Sequence, residues 1–227
     1  MLLASAGLAL LACAGEALPA PPQARPPEVA GSTPVVLPRP PATGTTTRFS
    51  LDPERSEARY RAREQLAQVS LPSDAVGTTK GISGTIALLP DGTVARDSSR
   101  ITVELGKLRS DDNRRDNFLQ RTTLETGRFP TAEFTPTEIR GLPFPIPASG
   151  EARLQIVGDL AVRDTTRTAT WEVEAQFSQD EIAGRASTAV TFADLGLTKP
   201  RVFLVLSIDD VLKLELDFVF RSSPPLG

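Results

Sequence analysis

From Arg48 onward, apolar and polar residues alternate with a period of two, the pattern of strands that keep one face wet. Ala58, Tyr60 and Ala62 alternate with Arg59, Arg61 and Arg63. Ile82, Gly84, Ile86 and Leu88 alternate with Ser83, Thr85 and Ala87, and then meet the turn Pro90-Asp91-Gly92. The same period runs through Ile101, Val103 and Leu105, and through Leu154, Ile156, Gly158, Leu160 and Val162. It returns in Trp171, Val173, Ala175 and Phe177, and in Thr188, Val190 and Phe192. The final strand sets Leu212, Leu214, Leu216, Phe218 and Phe220 against Lys213, Glu215 and Asp217. Roughly eight strands joined by short turns predict an all-β chain, an antiparallel barrel or sandwich.

One stretch breaks the period. Residues 110–121 are too polar for a strand, and Ser110, Asp111 and Asp112 suit the start of a short helix. Phe118 and Leu119 are its expected buried residues, and Arg115 and Asp116 an expected structural pair. Two apolar features escape the alternation. Val202-Phe203-Leu204-Val205-Leu206 is apolar at consecutive positions, which predicts a strand covered on both faces by its own chain, a second subunit or a lipid. Leu142, Phe144 and Ile146 stand on a Pro-rich ridge that either packs on a rim or forms a lip for a ligand or membrane.

Composition narrows the chemistry. The chain has 227 residues, no histidine, one cysteine and a net charge of −3. Without histidine it lacks the commonest general base and the usual nitrogen ligand for transition metals. One cysteine allows neither an internal disulfide nor a dithiol pair. A mildly acidic chain without a basic run speaks against nucleic acid as a partner. The acids Asp111, Asp112 and Asp116 lack calcium-loop spacing, and Gly-x-Ser-x-Gly does not occur. The expectation is therefore a protein that is not an enzyme, with no catalytic residues, metal or cofactor.

The N-terminal region has its own character. Residues 1–12 form an apolar run too short to span a bilayer, and they read as a signal peptide. The run ends Leu10-Leu11-Ala12-Cys13, which resembles a bacterial lipobox, with Cys13 as the lipidated residue. An ordinary secretory signal cut near Ala14 or Ala17 is the alternative. Nine of the 20 prolines lie between Ala14 and Thr46, so residues 13–46 read as a disordered tether. The globular domain is expected at 47–222, followed by a short disordered tail at 223–227. The predicted location is the cell envelope or periplasm, on a membrane-anchored lipoprotein.

Several stretches together resemble the YceI-like family. They are Arg48-Phe49-Ser50-Leu51-Asp52-Pro53 with Ser56, Arg115-Asp116-Asn117-Phe118-Leu119, and Thr126-Gly127-Arg128-Phe129-Pro130-Thr131-Ala132-Glu133-Phe134. Gly158 to Arg167 and Asp194-Leu195-Gly196 complete the series. The resemblance implies a lipocalin-like antiparallel barrel, exported to the bacterial envelope, in a family similar to carriers of long isoprenoid chains. It also marks departures. Many members carry a histidine in the second strand and an arginine before the late Asp-Phe-Gly. Here Arg63-Glu64-Gln65 and Phe192-Ala193 stand at those places, and Asp164 replaces a usual glycine.

Two readings follow. In one, the barrel shelters a long-chain apolar ligand, a polyisoprenoid or quinone-like lipid, and Tyr60, Phe118, Trp171, Phe192, Leu204 and Leu216 are candidates for its wall. In the other, the same residues fill a solid barrel, and the protein is a structural or interaction module of the envelope. The apolar strand and ridge would then form a homodimer or partner contact.

Overall fold

The structure, a computed structural model, describes residues 44–67, 70–200 and 205–223. The expected signal, Cys13, most of the tether, Leu204 and residues 224–227 lie outside these.

Ten strands follow in chain order: β1 (Thr47–Leu51), β2 (Glu57–Leu66), β3 (Ser73–Thr79), β4 (Ile82–Leu88), β5 (Arg100–Glu104), β6 (Thr131–Arg140), β7 (Gly150–Val162), β8 (Thr165–Ser178), β9 (Glu181–Thr191) and β10 (Val205–Ser223). Eight of them, β1 and β4 to β10, pair antiparallel in the order β1-β4-β5-β6-β7-β8-β9-β10 and close through β10 onto β1. Closure leaves no free edge within these eight strands.

The extra pair explains why the strand count exceeds the sequence expectation. One edge of β10 accepts β1 at Phe220–Ser223 and β2 from Val205 to Asp217, and β3 pairs on the far side of β2. Between β1 and β2 the chain turns at Pro53–Arg55. There the buried Ser56 Oγ accepts the Val219 N–H at 3.0 Å, while the Asp52 N–H donates to the Val219 carbonyl at 2.8 Å. Those two bonds satisfy the β10 backbone where it passes from one partner to the other.

Pro136 sits inside β6, where a proline removes a ladder donor. It is tolerated because the register with β7 shifts between Pro136 and Glu138, which leaves Thr137 as the extra residue of a bulge. The Thr137 hydroxyl then donates to the Val157 carbonyl at 3.1 Å.

The predicted helix is shorter and less apolar in its burial than expected. The helix α1 spans Asn113–Phe118 and is continued by a π-helical turn, Leu119–Thr123. Asp112 caps it by accepting the Arg114 N–H at 2.7 Å. Phe118 and Leu119 are only half-buried, and the buried residue is Asp116. Its carboxylate accepts from the Ser110 hydroxyl at 2.7 Å and the Ser110 N–H at 3.0 Å. The expected Arg115–Asp116 pair is therefore corrected: Asp116 holds Ser110, and Arg115 turns elsewhere.

Of the apolar run before the last strand, Val202, Phe203 and Leu204 lie outside the described residues. Val205 is half-buried, but Leu206 is 69% exposed, so no described residue supplies the expected second cover there. The Pro-rich ridge divides its side chains. Leu142 and Ile146 pack on the core, and Phe144 stays half-exposed with its ring against Gly92.

Candidate ligand-binding cavity

The inward residues of the barrel form two clusters. One holds Phe49, Ile86, Leu88, Phe177 and Phe220 at the end closed by the 141–149 loop, called here the loop end. The other holds Ala62, Leu105, Leu124, Phe192, Leu195 and Leu212 at the helix end. Phe134 and Trp171 touch both, with ring centroids 5.8 Å apart in an edge-to-face arrangement at 62°. These two rings join the clusters along the wall. A single cavity of about 760 Å³ runs along both, so the barrel is hollow rather than filled. That volume lies within the range of roughly 300–1,000 Å³ usual for small-molecule sites.

Small side chains make the space. Ala58, Ala62, Ala75, Ala175 and Ala186 line the cavity from β2, β3, β8 and β9. The glycines act differently. A Cβ on Gly158 would lie 2.7 Å from the Phe134 ring and 2.4 Å from the Thr135 carbonyl oxygen, so Gly158 lets a neighbour approach rather than widening the bore. Gly77 does the same for Tyr60, whose ring would sit 2.2 Å from an added Cβ.

Tyr60, Phe118, Trp171, Phe192 and Leu216 all border the cavity, and Leu204 lies outside the described residues. The Trp171 indole N–H is buried and has no hydrogen-bond partner among the described residues. Phe192 is carried in by the turn after β9. Asp194 accepts from the Thr191 N–H at 2.9 Å and the Thr191 hydroxyl at 2.7 Å, bonds that hold its carboxyl below the usual range, and the Arg167 guanidinium assists. Leu195 then drops into the core, and Gly196 takes a positive φ of 64° against Thr165. The Asp-Leu-Gly sequence is thus a turn that plugs the wall beside the cavity.

Phe134, which borders the cavity beside Trp171, is not among the wall residues the sequence singles out. Arg63 and Glu64, which stand where many family members carry a histidine, are the sequence's candidates for holding a head group, and the structure turns only Glu64 inward. That direction follows from the inward register of β2, in which Ala58, Tyr60 and Ala62 are followed by Glu64. Glu64 is buried, and Arg115 reaches it from α1 at 3.0 Å while also holding Asp111 at 2.5 Å. Arg63, its neighbour in sequence, faces outward to Asp74 at 3.2 Å. Tyr60 lies close enough to feel these charges. Burial raises its phenol most, the Arg115 charge opposes that, and Asp116, Glu64 and Asp111 add to it, giving about 12. The phenol therefore stays neutral and can donate a hydrogen bond. The exposed Asp112 and Arg114 also border the cavity, which reaches the surface at this end.

No curated protein matches the sequence. Among the solved structures that share the fold are the following three. A polyisoprenoid binding domain from Saccharophagus degradans implicated in plant cell wall breakdown aligns with a TM-score of 0.59 at 11% identity, over 77% of this chain and 98% of its own. Burkholderia cenocepacia BcnA aligns with a TM-score of 0.55 at 13% identity, over 74% of this chain and 98% of its own. The Campylobacter jejuni YCEI protein that crystallizes with large solvent channels gives 0.51 at 14% identity, over 70% and 91%. The family model for the YceI-like domain matches residues 49–220, from β1 to the closing residues of β10, and the chain belongs to that family.

Proposed function

We propose that this protein holds a long apolar, isoprenoid-like molecule inside its barrel, as an exported envelope protein anchored through a lipid on Cys13. The observation that carries the reading is the cavity of about 760 Å³, lined along its length by aliphatic and aromatic side chains and open at the helix end. A ligand without polar groups along its chain needs a dry slot of this kind and little else. The Saccharophagus degradans neighbour, described as polyisoprenoid binding, supports the assignment. The apolar run of residues 1–12 before Cys13 supports export and anchoring, since stable attachment needs more than one acyl chain and a lipobox cysteine carries a diacylglyceryl group.

Native mass spectrometry of gently purified protein, with lipid extraction, tests the reading directly. The expected result is a co-purifying apolar lipid, together with quenching of Trp171 fluorescence when polyprenols are added to delipidated protein. No lipid and no quenching would remove the carrier role. Metabolic labelling with a palmitate analogue tests the anchor separately, with Cys13→Ser expected to abolish incorporation.

A further inference from the structure

At the helix end, Glu64 and Arg115 border the cavity and are already paired with one another. We infer that this end selects a ligand whose head group is polar but uncharged, an alcohol or carbonyl oxygen rather than a phosphate. The inference rests on the carrier reading and specifies its ligand.

Arg115 is the cation best placed to meet an anionic head group, and it is not available. One guanidinium nitrogen holds the buried Glu64 carboxylate at 3.0 Å and another holds Asp111 at 2.5 Å. The charged residues that border the cavity at this end, Glu64 and Asp112 against Arg114 and Arg115, balance one another, so no net positive charge awaits an anion. Arg114 is exposed, where solvent and salt screen it. A phosphate entering here would find no uncompensated cation in the buried wall. To reach Arg115 it would have to displace Glu64 and leave a buried carboxylate without its partner, which is costly.

An uncharged oxygen meets a different situation. The Tyr60 hydroxyl borders the cavity and makes no hydrogen bond among the described residues. It is free to donate to a carbonyl or to exchange a bond with an alcohol, without disturbing the Arg115–Glu64 pair. The aliphatic tail then runs past Phe134 and Trp171 toward the loop end.

Geranylgeraniol, its monophosphate and geranylgeranylamine carry one tail with three head groups, and titrating each against Trp171 fluorescence of the delipidated full chain tests the inference. The alcohol is expected to bind at least about tenfold more tightly than either charged form, a difference of about 1.4 kcal/mol. Glu64→Gln releases one side of Arg115 and should narrow or reverse the gap between alcohol and phosphate. Asp111→Asn, at an exposed position, should shift it the same way by less and covers the case in which the first variant folds poorly. Phosphate or amine binding as tightly as the alcohol would overturn the head-group inference while leaving the carrier role intact. Binding of none of the three would overturn both.

Discussion

The two ends of the barrel are built from the same strands but closed by opposite chemistry. At the loop end, Phe49, Leu88, Phe177 and Phe220 meet Leu142 and Ile146 in an apolar plug. At the helix end, Arg115 ties α1 to β2 through Glu64, beside a tyrosine hydroxyl that has no hydrogen-bond partner among the described residues. Removing apolar area from water supplies most of the folding energy, whereas a buried ion pair roughly balances its own desolvation. The loop end is therefore sealed by apolar burial alone, whereas the helix end adds to its own apolar cluster the polar groups that can discriminate between ligands.

That division predicts unequal responses to matched truncations. Phe177 is 3% exposed, and Phe177→Ala should cost roughly 3–5 kcal/mol in urea unfolding. Phe118, half-buried on α1, should lose less than about 1.5 kcal/mol on the same change. Equal costs at the two positions would break the comparison.

The pH dependence of stability sharpens it, because titrating groups sit at the helix end and on the outer wall rather than in the apolar plug. Outside the barrel, Glu215 is buried beneath Arg59, Arg61 and Lys213. Burial pushes its carboxyl up, but hydrogen bonds and charges from Lys213 and Arg61 outweigh that and bring it to about 2. The unfolded chain then binds a proton at higher pH than the folded one. The contribution is complete above about 4.5 and declines as pH falls toward about 2. Glu215→Gln should remove roughly 1–3 kcal/mol at neutral pH and flatten stability in that acid window, measured by urea titration at stepped pH.

Tyr60 has the opposite sign. Its phenol, raised from 10.0 to about 12, keeps a proton that the unfolded chain has lost, so stability falls as pH rises between those values. Tyr60→Phe should flatten that alkaline decline and change neutral stability by less than about 0.5 kcal/mol, since no protein hydrogen bond is lost. Affinity for the alcohol should fall about 3–10-fold, the worth of one hydrogen bond. A Tyr60→Phe variant that binds the alcohol as well as the parent would show that the hydroxyl takes no part in recognition.

Much of the fold is legible because one face of each strand is apolar and the other charged. The alternation in β2 and β10 sets both the register and the inward residues, and Arg59, Arg61 and Arg63 face outward as that pattern requires. β3 is not legible in the same way. Its inward positions are Ala75, Gly77 and Thr79, too small and too little apolar to stand out, because Tyr60 of the neighbouring strand occupies the space above Gly77. The hollow interior is equally hard to read. Filled and open barrels use the same apolar alphabet, and the difference lies in where alanines face one another across the bore. Glu64 was visible as an inward position, but its partner on a helix 51 residues later is set by tertiary contact alone.

The passage of one strand edge from β1 to β2 has a consequence for the order of folding. β10 is the last strand in the chain, and it alone joins β9 to both β1 and β2. Until β10 is available, the growing polypeptide is an open sheet whose first and last edges have no common partner. The contacts that complete the barrel, among them the bonds from Val219 to Asp52 and Ser56, span more than 160 residues and bear a correspondingly high loop-closure cost. Closure is thus postponed until β10 has been made, and up to that point β1 to β9 are held together without a completed ring.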